Sequence, residues 1–190
     1  MPLLGPADPL PHAPRRVLVA GNAGSGKSTL CTRIAELHDL RRVELDSLYW
    51  GPQWTPRPEF RDEVAAFAQD ETWVTEFQYN EVRRSLLARA DTLVWLDHPF
   101  AMVMGRLVSR TVRRRARRVE LWNGNQEPSL WSAFTDPEHI LRWGWKTYRR
   151  NRTRVLALVD EVVVVRLRGQ GQVERWLAGP LASVGQERAR

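Results

Sequence analysis

The segment RRVLVAGNAGSGKSTLCTRIAELH at residues 15–38 is the most informative part of the chain, because three local patterns follow one another in it without a break. Residues 15–20 contain a short apolar, β-branched run that is typical of a buried strand. Residues 21–26 are rich in glycine, and residues 27–38 show helical spacing of apolar side chains at Leu30, Ile34 and Leu37. The order of strand, glycine loop and helix indicates the start of an α/β fold.

The glycine loop matches the phosphate-binding pattern G-x-x-x-x-G-K-[ST] at every position. Its glycines let backbone N–H groups turn toward a phosphate, and the helix that begins at Lys27 adds the positive end of its dipole. Lys27 is expected to reach the β- and γ-phosphates, Ser28 to offer its hydroxyl to Mg²⁺, and Thr29 to support the α-phosphate. The residues assigned to a bound nucleoside triphosphate are therefore Gly21, Asn22, Ala23, Gly24, Ser25, Gly26, Lys27, Ser28 and Thr29.

Strand and helix patterns alternate along the rest of the chain. Further strands are predicted at 43–45, 73–77, 92–97 and 162–167, and further helices at 59–69, 81–89, 100–115, 137–158 and 171–178. Turn signals dominate 119–136. We expect a three-layer sandwich, with a five-stranded, mainly parallel sheet between helices on both faces. It should occupy 15–180 as one domain, between a disordered proline-rich leader at 1–14 and a tail at 181–190.

Three carboxylates follow predicted strands, at the edge of the sheet where ligands of α/β proteins gather. Asp46 is placed to orient an acceptor hydroxyl or take its proton, although it could instead begin the turn DSLYW. Glu76 could polarise a Mg²⁺-bound water or be a partly buried structural carboxylate. Asp97 is expected to be a helix N-cap rather than a metal partner.

Arginines dominate the 29 basic residues, since only Lys27 and Lys146 are lysines. They are dense at 106–118 and again at 142–154, and guanidinium forks at that density suit phosphate oxygens. Because several recur every four residues and lead into a glycine-containing loop, we predict a mobile lid at about 113–136 that closes over the triphosphate. The alternative is a solvated basic helix face.

The amino-acid composition is that of an ordinary globular protein. Hydrophobic residues make up 43% and charged residues 27%, as in a globular protein, and no apolar run is long enough to cross a bilayer. The one cysteine, Cys31, is expected to be structural, and a cytoplasmic location follows from the lack of an export signal and of a disulfide. Trp50 and Trp54 could line an acceptor pocket, although packing is the more common role of tryptophan.

The succession GNAGSGKSTL, LDSLYW, WVTEFQYN, ADTLVWLD, Arg-rich helix and WNGNQE resembles the adenylate-kinase-like P-loop proteins often labelled DNA topology modulation proteins. These form a branch near the nucleoside monophosphate and shikimate kinases, and the resemblance covers about 15–167. It implies a kinase-type P-loop fold with the P-loop strand central in the sheet, and ATP with Mg²⁺ as ligands. The chain departs from the group where Glu76-Phe77-Gln78-Tyr79 replaces Asp-Gly-Asn-Tyr.

Together these features predict a kinase that transfers the γ-phosphoryl of ATP to a small-molecule or nucleotide acceptor. AMP is not the expected acceptor, since the Asp-Gly-Phe-Pro-Arg segment of adenylate kinases is missing, and no Asn-Lys-x-Asp segment indicates a GTPase. The alternative is a nucleic-acid-associated ATPase whose arginine helix grips a phosphate backbone. For the kinase, the assigned residues are Lys27, Asp46, Arg110 and Arg114 in catalysis, Arg113 and Arg154 in phosphate binding, and Ser28 and Glu76 at the metal.

Overall fold

A computed structural model describes residues 3–117, 120–125, 148 and 150–186, and this part of the chain contains one six-stranded sheet. The strands are β1 (Leu3–Leu4), β2 (Arg16–Gly21), β3 (Arg41–Val43), β4 (Trp73–Glu76), β5 (Thr92–Leu96) and β6 (Val163–Leu167). Their order in the sheet is β1-β6-β5-β2-β4-β3, and each of these neighbouring pairs is parallel. The P-loop strand β2 is therefore central, as the resemblance implied.

Helices cover both faces of this sheet. They are α1 (Lys27–His38), α2 (Leu45–Tyr49), α3 (Phe60–Phe67), α4 (Asn80–Leu87), α5 (Phe100–Ala116), α6 (150–156), α7 (Gln170–Trp176) and α8 (Ala182–Gln186). A π-helical turn at Leu177–Leu181 joins the last two. Within the described ranges, no helix combines the length and the apolar character that crossing a membrane requires.

Side chains of β2 alternate between two hydrophobic cores, because successive residues of a strand point to opposite faces. Leu18 joins the core formed with apolar residues of α3, α4 and α6, whereas Val19 joins the core formed with α1 and α7. The largest buried side chains are divided in the same way, with Trp73 in the first core and Trp176 in the second, both at 0% exposure. The predicted three-layer sandwich is confirmed.

The sixth strand corrects the prediction for the N-terminal residues. Leu3 and Leu4 pair with Val164 and Val165 of β6, and Leu10 is 8% exposed in the second core. Residues 3–14 are thus part of the fold rather than a disordered leader. A two-residue strand in a proline-rich segment is too short to show a hydrophobic period. It forms because the edge of β6 is available for pairing.

The C-terminal boundary also differs from the prediction. Leu181 is fully buried in the second core, and α8 extends the ordered chain through Gln186, so the predicted tail begins too early. The buried ring of His38 at the end of α1 lies 3.0 Å from the carbonyl oxygen of Leu181, which ties this turn to α1. Residues 187–190 lie outside the described part.

One predicted strand is placed two residues too late. Residues 43–45 were expected to be extended, but β3 ends at Val43 and α2 begins at Leu45, so Asp46 lies in the first turn of a helix. Leu45 is fully buried and satisfies the apolar period of a strand equally well, which explains the error. The shift determines the direction in which Asp46 points.

Candidate active site

The P-loop turns sharply at the carboxyl end of β2. Gly24 and Gly26 have φ angles of 85° and 94°, which favour glycine, and the N–H of Ser25 donates to the carbonyl oxygen of Asn22 at 3.0 Å. Gly26 is also the N-cap residue of α1, which begins at Lys27. The loop thereby places the N-terminus of α1 at the edge of the sheet, as phosphate binding requires.

Gly24 packs against α5 closely enough that no side chain fits. A Cβ atom there would lie 2.6 Å from the carbonyl oxygen of Val103 and 2.9 Å from Cβ of Leu107. We expect Gly24→Ala to lower the free energy of unfolding by roughly 2–4 kcal/mol, through overpacking and a positive φ, and to weaken ATP binding. Chemical denaturation and calorimetry measure both effects.

Gly105 provides the matched control, because it lies on α5, has no positive φ, and would carry a Cβ with no other atom within 4 Å. Gly105→Ala should stabilise the protein by up to about 1 kcal/mol, since alanine is the better helix former. Equal effects of the two substitutions would contradict the close packing of the P-loop on α5.

Glu76 connects the two P-loop side chains expected at phosphate and metal. Its Oε2 lies 3.3 Å from Nζ of Lys27, and its Oε1 accepts a hydrogen bond of 2.6 Å from Oγ of Ser28. The Lys27 and Glu76 side chains are only 11% and 13% exposed, which strengthens their attraction relative to a surface pair. The structure thus brings three predicted site residues into direct contact.

Asp46 is held by the residues that follow Glu76 in the chain. Its Oδ1 accepts hydrogen bonds from Nε2 of Gln78 at 2.9 Å and from the hydroxyl of Tyr79 at 2.5 Å. No residue within the described ranges donates to its Oδ2. One carboxylate oxygen is therefore fixed, and the other is free to meet a ligand.

The surroundings of Asp46 make its carboxylate a better proton acceptor than that of an exposed aspartate. Burial raises the pKa of Asp46 and the nearby Glu76 adds to the rise, while the Tyr79 hydrogen bond and Lys27 oppose it. Burial and the charge of Asp46 raise the pKa of Tyr79, so Tyr79 remains a hydroxyl donor. Sequence reasoning missed Gln78 and Tyr79, although their position after Glu76 in FQY is visible in the sequence.

A pocket of about 270 Å³ opens beside the P-loop. Arg106 and Gln170 both line it, and Nη2 of Arg106 donates to Oε1 of Gln170 at 3.2 Å. Its remaining lining residues are Ser25, Gly26, Thr29, Leu30, Arg33, Leu96, His98 and Val173. Apolar walls with a few polar groups beside a phosphate loop are suited to a nucleoside.

His98 is one of the pocket residues that sequence reasoning did not identify. Its Nδ1 accepts a hydrogen bond from the N–H of Gly169 at 2.9 Å, and burial and then Arg106 lower the pKa of His98. The ring is therefore neutral near pH 7. No sequence pattern marks His98 or Gln170, because β5 and β6 bring them together from distant parts of the chain.

The arginines of α5 differ in their relation to this pocket. Arg106 lines it, whereas Arg110, Arg113 and Arg114 do not. Helix α5 continues through Ala116, so the first residues of the predicted lid are helical, while 118–119 and 126–136 lie outside the described residues. The lid, and the roles of these three arginines in it, stay predictions.

Asp97 does not cap α5, so that prediction is wrong. The N-cap position is Pro99, and the buried Asp97 carboxylate accepts a hydrogen bond of 2.8 Å from Nε of Arg166. Arg152 and Arg168 each approach the same oxygen to 3.7 Å. Asp97 instead holds a group of arginines at the ends of β5 and β6, a role that depends on the neighbouring strand.

Trp50 and Trp54 pack on each other and on the short segment 120–125. The ring centroids of Trp50 and Trp54 are 5.5 Å apart, and those of Trp54 and Trp122 are 6.5 Å apart. Asn125 holds segment 120–125 against residues 51–54 by two hydrogen bonds. Its Nδ2 donates to the carbonyl oxygen of Gly51 at 2.9 Å, and its Oδ1 accepts from the N–H of Trp54 at 2.9 Å. The segment that follows α5 is thus fastened to the segment that follows Asp46.

We expect Asn125→Ala to release segment 120–125 from Trp54. Asn125 is only 4% exposed, and each hydrogen bond it makes contributes about 0.5–1.5 kcal/mol. Hydrogen exchange at the Trp54 amide should accelerate, and mass spectrometry can follow it. Asn125→Asp is isosteric but loses the donor to Gly51, so it should accelerate exchange as well; protection equal to that of the unmodified protein would show that the donor is unimportant.

Arg154 is connected to the P-loop by two hydrogen bonds that pass through Asn151. Its Nη1 donates to Oδ1 of Asn151 at 3.0 Å, and Nδ2 of Asn151 donates to Oδ1 of Asn22 at 2.6 Å. Helix α6 is thereby attached to the phosphate loop. Arg149, in the arginine-dense stretch 142–154, lies outside the described residues.

Comparisons with known proteins support the fold. No family model matches the chain, and no curated protein matches it. A gluconokinase from Sinorhizobium meliloti 1021 is similar in structure, with a TM-score of 0.54 and 19% identity over 94% of this chain and 97% of that one. A shikimate kinase from Bacteroides thetaiotaomicron has a TM-score of 0.49 and 13% identity over 87% and 96%.

At 19% identity the likeness to the gluconokinase shows the fold alone, which is that of a P-loop kinase. This agrees with the kinase-type fold that the resemblance implied. None of the similar structures supports the DNA topology modulation label. Function therefore has to be argued from the site itself.

Proposed function

We propose that this protein is a kinase that transfers the γ-phosphoryl group of ATP to a hydroxyl group of a small molecule. The observation that carries the proposal is the position of residues 76–79. Glu76 contacts Lys27 and Ser28 of the phosphate loop, and two residues further on Gln78 begins the pair that holds Asp46. A phosphate site and an oriented carboxylate thus face the same edge of the sheet.

The P-loop residues fit a triphosphate with its metal ion. Oγ of Ser25 is buried without a hydrogen-bond partner among the described residues, and a Cβ at Gly26 would meet nothing closer than Arg106, so both leave room for a ligand. Among the described residues, no group of three or more His, Cys, Asp or Glu side chains could hold a metal ion. Ser28 and Glu76 are the residues that would hold the Mg²⁺ bound to ATP.

Mg²⁺ at Ser28 and Glu76 would neutralise negative charge on the triphosphate. The protein contributes positioning and proton transfer. Lys27 binds the phosphates, and Oδ2 of Asp46 orients the acceptor hydroxyl. The acceptor oxygen forms a bond to the γ-phosphorus, the bond from that phosphorus to the bridging oxygen breaks, ADP leaves, and Asp46 takes the hydroxyl proton. Arg110, Arg113 and Arg114 would approach the phosphates as part of the lid.

The decisive test is ATP consumption against a panel of acceptors, with a sample lacking acceptor as the control for hydrolysis. Sugars, sugar acids, shikimate-like alcohols, nucleosides and nucleotides belong in it, and the likeness to a gluconokinase favours starting with sugar acids. We expect one class to raise ATP consumption above the control and to yield a phosphorylated product by phosphorus NMR. Stimulation by DNA or RNA instead, weakening steeply with salt, would replace the kinase with a nucleic-acid-dependent ATPase.

A further inference from the structure

The ring of His98 is buried, and one of its nitrogens is bonded to the backbone of a distant segment. His98 follows β5, is only 1% exposed, and lines the pocket beside the P-loop. Its Nδ1 accepts a hydrogen bond of 2.9 Å from the N–H of Gly169, and its carbonyl oxygen accepts one of 2.9 Å from the hydroxyl of Tyr148. The ring and the backbone of His98 are therefore both held in place.

Gly169 connects this ring to the wall of the pocket. It has a φ angle of 80° and is the N-cap residue of α7, in the short loop at 168–169 that follows β6. The next residue, Gln170, lines the pocket and accepts the hydrogen bond from Arg106. Because the loop is so short, fixing the N–H of Gly169 also fixes the start of α7 and the position of Gln170.

Only a neutral ring can make this hydrogen bond. A protonated histidine carries a hydrogen on both nitrogens, so its Nδ1 would face the N–H of Gly169 with a second donor. The charged side chains on the surrounding elements are Arg33 of α1, Asp97, Arg106 of α5, Arg168 and Glu174 of α7. Burial first, and then the charge of Arg106, lower the pKa of His98, while Asp97 and a hydrogen bond with the backbone of Ser25 oppose this shift. The ring is thus neutral at physiological pH, as the contact with Gly169 requires.

We infer that His98 is a positioning residue for the nucleotide. Its neutral ring holds the loop at 168–169 so that Gln170 and Arg106 are placed to contact the nucleoside, and protonation of the ring releases the loop and weakens ATP binding. That this pocket holds the nucleoside of ATP rests on the proposed function. The affinity for ATP should therefore be constant above the usual histidine range and fall as the pH drops through the lowered pKa of His98.

Two substitutions separate the acceptor nitrogen from the rest of the ring. In His98→Asn the side-chain oxygen can accept from Gly169 as Nδ1 does, since both atoms are bonded to Cγ, but the amide does not titrate. In His98→Leu a side chain of similar size has no acceptor, so the N–H of Gly169 loses its partner. At about pH 8 we expect His98→Leu to weaken the binding of a non-hydrolysable ATP analogue with Mg²⁺ by about tenfold, and His98→Asn by less than about threefold. Calorimetric titration measures both changes.

The pH dependence of the same titration distinguishes positioning from packing. Between about pH 8 and about pH 5, the affinity of the unmodified protein should fall by about tenfold relative to that of His98→Asn. Protonation of the analogue itself affects every protein equally and cancels in this ratio. Parallel profiles of the two proteins would overturn the inference. A relative rise in affinity toward low pH would overturn it as well, because the charged ring would then be contacting a phosphate.

His38→Leu is the matched control for these titrations. His38 is also buried, but it is the last residue of α1, and its ring lies beside the carbonyl oxygen of Leu181, away from the start of α1 at the P-loop. This variant should retain the ATP affinity and the pH dependence of the unmodified protein. Loss of affinity in His38→Leu equal to that in His98→Leu would show a general effect of losing a buried histidine and would overturn the positioning role.

Hydrogen exchange at the Gly169 amide tests the contact without any nucleotide. At a common pH, this amide should exchange at least about tenfold faster in His98→Leu than in the unmodified protein or in His38→Leu. Equal protection in all three proteins would overturn the inference, even where His98→Leu is too unstable for titration.

The acceptor panel separates the role of His98 from the proposed function. ATP binding that depends on pH through His98, without transfer to any acceptor, would retain the positioning role and refute the kinase. Transfer to an acceptor, with an ATP affinity that is independent of His98, would do the reverse. Failure of the unmodified protein to bind the analogue at any pH would refute both.

Discussion

Lys27→Ala is expected to abolish measurable ATP binding. The Nζ atom of Lys27 lies in a nearly buried position, 3.3 Å from Glu76 and 3.4 Å from the carbonyl oxygen of Asn22, and there it would meet the β- and γ-phosphates. Removing one partner of a buried charge pair costs about 2–5 kcal/mol, a loss in affinity of roughly 30-fold to several thousand-fold. Calorimetric titration with a non-hydrolysable ATP analogue and Mg²⁺ measures this loss.

Lys27→Ala also leaves Glu76 without its cation, so stability has to be followed beside affinity. Arg84→Ala removes one positive charge at an exposed site and should leave ATP binding unchanged. Thermal unfolding of both variants shows whether the protein remains folded at the titration temperature. Full ATP affinity in folded Lys27→Ala would remove the P-loop assignment, and the proposed kinase with it.

Asp46→Asn is expected to lower kcat for phosphoryl transfer by about 10²–10⁴-fold, the usual contribution of a general base, with ATP affinity nearly unchanged. The amide oxygen can still accept from Gln78 and Tyr79, so the side chain keeps its orientation. What disappears is the oxygen that takes the acceptor proton. Steady-state kinetics with the acceptor found in the panel separate kcat from KM.

The pH profile provides a second test of Asp46. Because burial raises the pKa of Asp46 above that of an ordinary aspartate, the base loses its function as the pH falls through that raised pKa. Transfer by the unmodified protein should decline toward low pH with that midpoint, and Asp46→Asn should lack the transition. Asp62→Asn, at an exposed position on α3, should retain both the rate and the profile. Equal activity of the two variants would exclude Asp46 from the mechanism.

Local sequence patterns were sufficient wherever one segment contains the whole feature. The P-loop is such a case, since β2, two glycines with positive φ and the start of α1 are contiguous. The long helix α5 is another, because its apolar residues repeat at helical spacing over 17 residues. In both cases backbone geometry and hydrophobic period depend on neighbours in the chain, so the sequence alone predicts them.

Features made by two or more distant segments could not be predicted in this way. Leu3–Leu4 became a strand because β6 offers an open edge, and Asp97 became an arginine partner because Arg166 lies on the next strand. Neither contact leaves a periodic signal in the sequence, since the partners are 69 or more residues apart.

The P-loop, the α/β sandwich and the carboxylates near the strand ends were all predictable from the amino-acid sequence. The contacts of Glu76 with Lys27 and Ser28, and of Tyr79 with Asp46, are seen only in the folded chain. These contacts form because the parallel sheet brings the carboxyl ends of distant strands to one edge. The amino-acid sequence specifies which residues are present, but strand order and helix packing set the distances between them.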